Sequence, residues 1–62
     1  MIERFIKEEG FLESASGWKK GKFEIRKKGD KYFLDLKQRT IFSSSNFDEI
    51  AIKYITLKRS PV

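Results

Sequence analysis

The sequence predicts an α+β domain of order α-β-β-β-α, a three-stranded antiparallel meander packed against one or two helices. Three observations predict it. Apolar residues recur at helical spacing near the N-terminus and again from Phe47 to Ile55. Between these stretches, the residues flanking Gly29-Asp30 alternate with a period of two, as strands joined by a tight turn do. The chain has 62 residues, enough for a single small domain spanning 1–62. A chain this short buries only about 60% of its unfolded surface. With no cysteine available for disulfides, it depends on an apolar core or on an oligomer. Six Phe, two Tyr and one Trp supply the material for that core.

The first helix is expected over residues 2–9. Ile2, Phe5 and Ile6 share one face, while Glu3, Arg4, Lys7 and Glu8 lie elsewhere. Gly10 suits the position after the helix, where a left-handed backbone is needed. Phe11-Leu12 then anchors the chain, and Glu13 to Gly17 reads as a loop by composition. Trp18 falls off the strand alternation. It is expected either to wedge under the first helix or to stand exposed as an interaction anchor.

Strands are expected over 22–28, 31–37 and 40–43. A two-residue turn at Gly29-Asp30 pairs Phe23 with Leu36, Ile25 with Leu34 and Lys27 with Tyr32, placing the apolar partners on one side. A slip of one residue would mix the faces. Glycine at the first turn position suits a type II′ turn. This register also sets Glu24 against Asp35, a mildly unfavourable like-charge pair. A second turn at Gln38-Arg39 would bring Ile41 opposite Leu36 and Phe42 opposite Asp35. The last helix is expected over 46–58. Ser45 or Asn46 would cap it, Asp48 and Glu49 occupy its first turn, and Lys58 and Arg59 lie at its C-terminal end, each suited to the helix dipole. Phe47, Ile50, Ala51, Tyr54 and Ile55 form its apolar stripe. Ser60-Pro61-Val62 reads as a frayed tail.

Charge is unevenly distributed. The net charge is +5, yet the segment Lys19 to Arg39 holds nine basic residues against three acids, a net +6. The remainder holds five basic residues against six acids. A basic sheet beside near-neutral helices points to a polyanion or an acidic partner. The predicted register divides the sheet into two faces. Phe23, Ile25, Tyr32, Leu34, Leu36 and Ile41 form the core face. Lys22, Glu24, Arg26, Phe33, Asp35, Lys37 and Phe42 form the other. If both helices cover the first face, Phe33 and Phe42 become neighbours framed by cations, a platform on which unpaired bases stack. If the first helix covers the second face, the same two rings are core. In a homodimer they would be interface.

The composition excludes several kinds of chemistry. With no His and no Cys, the usual zinc sites and His- or Cys-based nucleophilic catalysis are absent, and Ser43, Ser44 and Ser45 read as strand end and cap. Glu24 and Asp35 are the best-placed carboxylate pair for a divalent cation. Neutralisation by Lys22, Arg26 or Lys37 is the competing and preferred reading. No glycine-rich phosphate loop opens a helix. No cofactor and no metal are expected. No apolar run is long enough to span a membrane, and the N-terminus lacks the pattern of a signal peptide, so a cytoplasmic location is expected.

The order of a short helix, the stretch Glu8-Glu9-Gly10-Phe11, three strands and an amphipathic helix resembles the double-stranded RNA-binding fold. It also resembles the small HicA mRNA-interferase toxins, which share that fold. The resemblance implies the architecture. The toxins use a histidine on the early strands, which this chain lacks, and double-stranded RNA binders carry a lysine-rich start to the last helix, where Asp48 and Glu49 stand here. The layout is similar, too, to the DNA-binding arm domains of some phage integrases. The expected function is a small non-enzymatic nucleic-acid-binding protein, with Lys19, Lys20, Lys22, Arg26, Lys28, Lys31 and Lys37 facing phosphates and Phe33 and Phe42 stacking on bases. The alternatives are a protein-interaction module, such as a phage or mobile-element regulator docking its basic sheet on an acidic protein, and a catalytically inert relative of a toxin–antitoxin fold.

Overall fold

The computed structural model describes residues 2–59; the expected tail at Ser60 to Val62 lies outside them. Two helices and five strands follow one another as α1 (Ile2–Glu9), β1 (Leu12–Ser14), β2 (Gly17–Lys20), β3 (Phe23–Lys28), β4 (Lys31–Leu36), β5 (Arg39–Ser44) and α2 (Phe47–Arg59). The strands form one antiparallel sheet in the order β1-β2-β3-β4-β5. The α+β class and the meander of hairpins are therefore present, with five strands in place of the three expected.

The two additional strands arise from the stretch read as a loop. Leu12 pairs with Lys19 and Ser14 with Gly17, so Ala15-Ser16 is a two-residue turn. Lys20 pairs with Phe23 across a second tight turn at Gly21-Lys22. Small and polar residues hide this hairpin from a periodicity reading, because β1 is three residues long and its neighbour contributes a single large apolar side chain, Trp18. Gly17 has a packing reason to be glycine. A Cβ there would collide with the Ile25 carbonyl oxygen and lie 3.0 Å from Arg26 Cα.

The β3–β4 hairpin has the predicted register, from Phe23 opposite Leu36 to Lys28 opposite Lys31. Gly29 has φ +64°, the sign a type II′ turn needs at its first position. The next hairpin differs from expectation. Its turn is Lys37-Gln38, with φ 52° and 69°, and Leu36 pairs with Arg39. Positive φ at both turn residues is the signature of a type I′ turn, whose backbone twist matches that of the strands. A bulge then shifts the register between Leu34 and Asp35, so that Asp35 pairs with Thr40 but Leu34 pairs with Phe42. This one-residue change reverses two expectations. Phe42 packs against the core, and Ile41 is exposed.

Both helices cover the same face of the sheet. The core joins Ile6 and Phe11 from the N-terminal segment, Ile25 and Leu34 from the central strands, and Phe47, Ile50 and Tyr54 from α2. Phe5 meets Phe47, Tyr54 and Phe11 with ring centroids 5.7, 6.0 and 6.2 Å apart, and Tyr54 meets Phe23 at 5.0 Å. Trp18 packs edge-on near Phe47 at 6.3 Å, beneath the helices. α1 ends in a Schellman motif. The Phe11 N–H donates to the Ile6 carbonyl (2.9 Å) and the Gly10 N–H to that of Lys7 (3.2 Å), with Gly10 at φ +86°. Asn46 caps α2, its Oδ1 accepting from the Asp48 N–H at 2.9 Å. Lys58 Nζ donates to Glu9 Oε1 at 2.8 Å, joining the C-terminal ends of the two helices.

Candidate nucleic-acid interface

With both helices on one side, the other face of the sheet is open. Register assigns to it Leu12 of β1, Lys19 of β2, Glu24, Arg26 and Lys28 of β3, Lys31, Phe33 and Asp35 of β4, and Thr40 and Ser43 of β5.

A polar cluster occupies the centre of this face. Arg26 donates two hydrogen bonds to Asp35, from Nε to Oδ2 at 2.6 Å and from Nη2 to Oδ1 at 3.2 Å. Nη2 also reaches Thr40 Oγ1 at 2.9 Å, and the Thr40 hydroxyl donates to Asp35 Oδ1 at 2.7 Å. The guanidinium lies 5.0 Å from the centroid of the Phe33 ring, within cation–π range. Asp35 is buried, with 6% of its surface exposed. Burial pushes its carboxyl up. Hydrogen bonds from Arg26 and Thr40, with the Arg26 charge, outweigh burial and hold it below the usual carboxylate range. The same Asp35 hydrogen bond raises the Arg26 guanidinium above its ordinary value. Glu24 accepts from the Ser16 hydroxyl at 3.3 Å. Both carboxylates expected to face each other do so, and each has its own partner. Asp35 is neutralised by Arg26, while Lys22 and Lys37, the other expected partners, form no ion pair with it among the described residues. The described residues contain no group of three or more metal-ligating side chains.

The lysines lie at the two ends of the central hairpin. At one end Lys28 and Lys31 are directly opposed. At the other, Lys22 and Lys37 leave the strands to enter turns, but the Lys37 N–H donates to the Lys22 carbonyl at 2.9 Å, adding one rung to the β3–β4 ladder. Lys20 and Arg39 flank this end on the outer strands, in line with Phe23 and Leu36. The expected basic loop 19–22 is thus mostly strand. Among the described residues, the ion pairs are Arg4–Glu8, Arg26–Asp35 and Lys58–Glu9. Lys19, Lys20, Lys22, Lys28, Lys31 and Lys37 take part in none of them.

Seven of the nine expected contact residues thus gather on the open face or its ends: Lys19, Lys22, Arg26, Lys28, Lys31, Phe33 and Lys37. Lys20 lies on the helix-side face by register and is half-buried. Phe42 is the clear correction. The bulge turns it to the helix side, where Lys53 Nζ lies 5.8 Å from its ring centroid. Phe33 and Phe42 therefore stand on opposite faces and make no joint stacking platform. Thr40 and Arg39 were not anticipated as site residues. Their places follow from the Lys37-Gln38 turn, which carries neither glycine nor asparagine to mark it. The described residues include no helix long and apolar enough to cross a membrane. Compared with known proteins, the chain matches no family model, no curated protein and no solved structure.

Proposed function

We propose that this protein is a small non-enzymatic nucleic-acid-binding protein that contacts phosphates through the lysine-bearing open face of its sheet. One observation carries the reading. Lys19, Lys22, Lys28, Lys31 and Lys37 are exposed, form no ion pair among the described residues, and lie on or at the ends of the sheet face that no helix covers. Such lysines neutralise a phosphate backbone and release its counterions, giving affinity without base specificity. The decisive measurement is titration of fluorescently labelled DNA and RNA at about 50 mM and about 150 mM salt. Binding is expected at the lower salt and should fall steeply at the higher. Lys28→Glu/Lys31→Glu should abolish it while leaving the circular dichroism spectrum unchanged. Absence of binding to every nucleic acid at about 50 mM salt would overturn the reading.

A second reading places an acidic protein on the same face. It is favoured by Leu12, 74% exposed and on the open side by register, and by Ile41, 39% exposed. Protein interfaces combine such apolar anchors with charge. Leu12→Ser would weaken a protein partner and leave phosphate binding unchanged.

A further inference from the structure

Resting on the nucleic-acid reading, we infer that the ligand is a double-stranded nucleic acid, held by its two backbones, and that the β3–β4 hairpin straddles the groove between them. The free protein holds an unfavourable arrangement of charge. The β3–β4 ladder ends at one extremity in a directly opposed lysine pair, Lys28 with Lys31. Just past its other extremity, Phe23 opposite Leu36, the Lys37 N–H donates to the Lys22 carbonyl at 2.9 Å and brings a second pair of lysines together. Like charges opposite one another in a sheet are destabilising. All four lysines are exposed, and none takes part in an ion pair among the described residues. An anion seated between the members of a pair removes the repulsion, so each pair is a ready contact for one phosphate.

The spacing of the two pairs identifies the anion. Lys28 ends β3 and Lys22 immediately precedes it, six positions earlier. At a strand rise of about 3.4 Å per residue the two pairs are separated by at most about 20 Å. The surface between them is close to neutral, because the Arg26 and Asp35 charges cancel and Lys19 lies opposite Glu24. The face therefore presents two positive rims around a neutral centre. A duplex presents the complement, two lines of phosphate on either side of a groove, about 12 Å across for the major groove of B-DNA before the backbones themselves are added. A single strand would need the opposite: a continuous basic track with free aromatic rings for its bases. Here the Phe33 ring is already engaged by Arg26, and Phe42 lies on the other face.

The test compares a duplex of about 16 base pairs with each of its single strands, as DNA and as RNA, by fluorescence anisotropy over a salt series. It uses the wild-type chain, Lys22→Ala/Lys37→Ala and Lys28→Ala/Lys31→Ala. Both double variants remove a like-charge pair, so their folding should be preserved, and thermal melting checks this. The wild type should bind at least one duplex about tenfold or more tightly than its strands. Each double variant should weaken duplex binding and lower the slope of log affinity against log salt by about 0.9, the share of the one phosphate seated on that pair. The DNA and RNA arms show which duplex is preferred. Equal or tighter binding of single strands would overturn the inference while leaving nucleic-acid binding intact. So would loss of slope on removing one lysine pair but not the other. Failure of every nucleic acid to bind at about 50 mM salt would overturn the nucleic-acid reading itself.

Discussion

At the scale of single residues, Asp35 is the most consequential side chain on the open face. Its carboxylate is buried, and among the described residues its side-chain hydrogen bonds come from Arg26 and Thr40. Removing the arginine leaves a buried charge without its partner. A fully enclosed pair would cost about 3–5 kcal/mol to break. The Arg26 side chain retains 32% of its exposure, so Arg26→Ala should cost less, about 2 kcal/mol, read as a lower urea midpoint. The pH dependence follows from the direction of the Asp35 shift. Because the folded carboxyl titrates below its unfolded value of about 3.9, its contribution is complete above that value. It is lost as pH falls through the lower folded value. Asp35→Asn should therefore be less stable than the wild type at pH 7, and the difference should shrink below about pH 4. Urea titrations at pH 7 and pH 3 provide the check. The opposition of Glu24 and Asp35 was legible from the alternation of the two strands. Thr40's part in the network was not, because it depends on where the next turn falls.

At the scale of elements, the turns decide what the sequence discloses. Gly29 announces its turn, and the register of β3 and β4 follows residue by residue. Gly10 and the stripes of α1 and α2 announce the helices equally well. Lys37-Gln38 announces nothing, because long polar side chains at positive φ run against ordinary preference. This turn displaced the pairing of β5, and the bulge between Leu34 and Asp35, equally unmarked by residue type, then turned Phe42 to the helix side and left Ile41 exposed. The hairpin β1–β2 escaped notice for a related reason: short strands with one large apolar residue have no measurable period. Two predictions belong here. Lys37→Asn/Gln38→Gly installs the preferred type I′ sequence, relieves the left-handed backbone strain of two long side chains, and should stabilise the fold by about 1 kcal/mol, seen as a higher melting temperature. Gly17→Ala places a methyl group against the β3 backbone and should destabilise by about 2 kcal/mol, within the range for overpacking. At Gly10, where space is open but φ is +86°, alanine should cost about 1 kcal/mol from backbone strain alone.

At the scale of the whole molecule, the division of labour between faces was anticipated only conditionally. Charge asymmetry along the chain located the basic sheet, and strand alternation separated its sides. Which side the helices would occupy depends on packing between elements distant in sequence, about which local pattern is silent. The same separation has a kinetic consequence. Each strand bonds to its neighbour in the chain through a two-residue turn, so the sheet can zip up through small loop closures. By contrast, the ion pair from Glu9 to Lys58 spans 49 positions, the ring contact of Phe5 with Tyr54 spans as many, and that with Phe47 only a few fewer. Closing so large a loop is entropically costly, and local topology favours early assembly of the hairpins. The N-terminal helix should therefore dock last, after the rate-limiting barrier. Phe5→Ala should accelerate unfolding about tenfold or more while leaving the refolding rate nearly unchanged, a pattern that stopped-flow chevron plots would display. The α1 clasp would then set how long the native state persists, while the hairpins set how quickly it is reached.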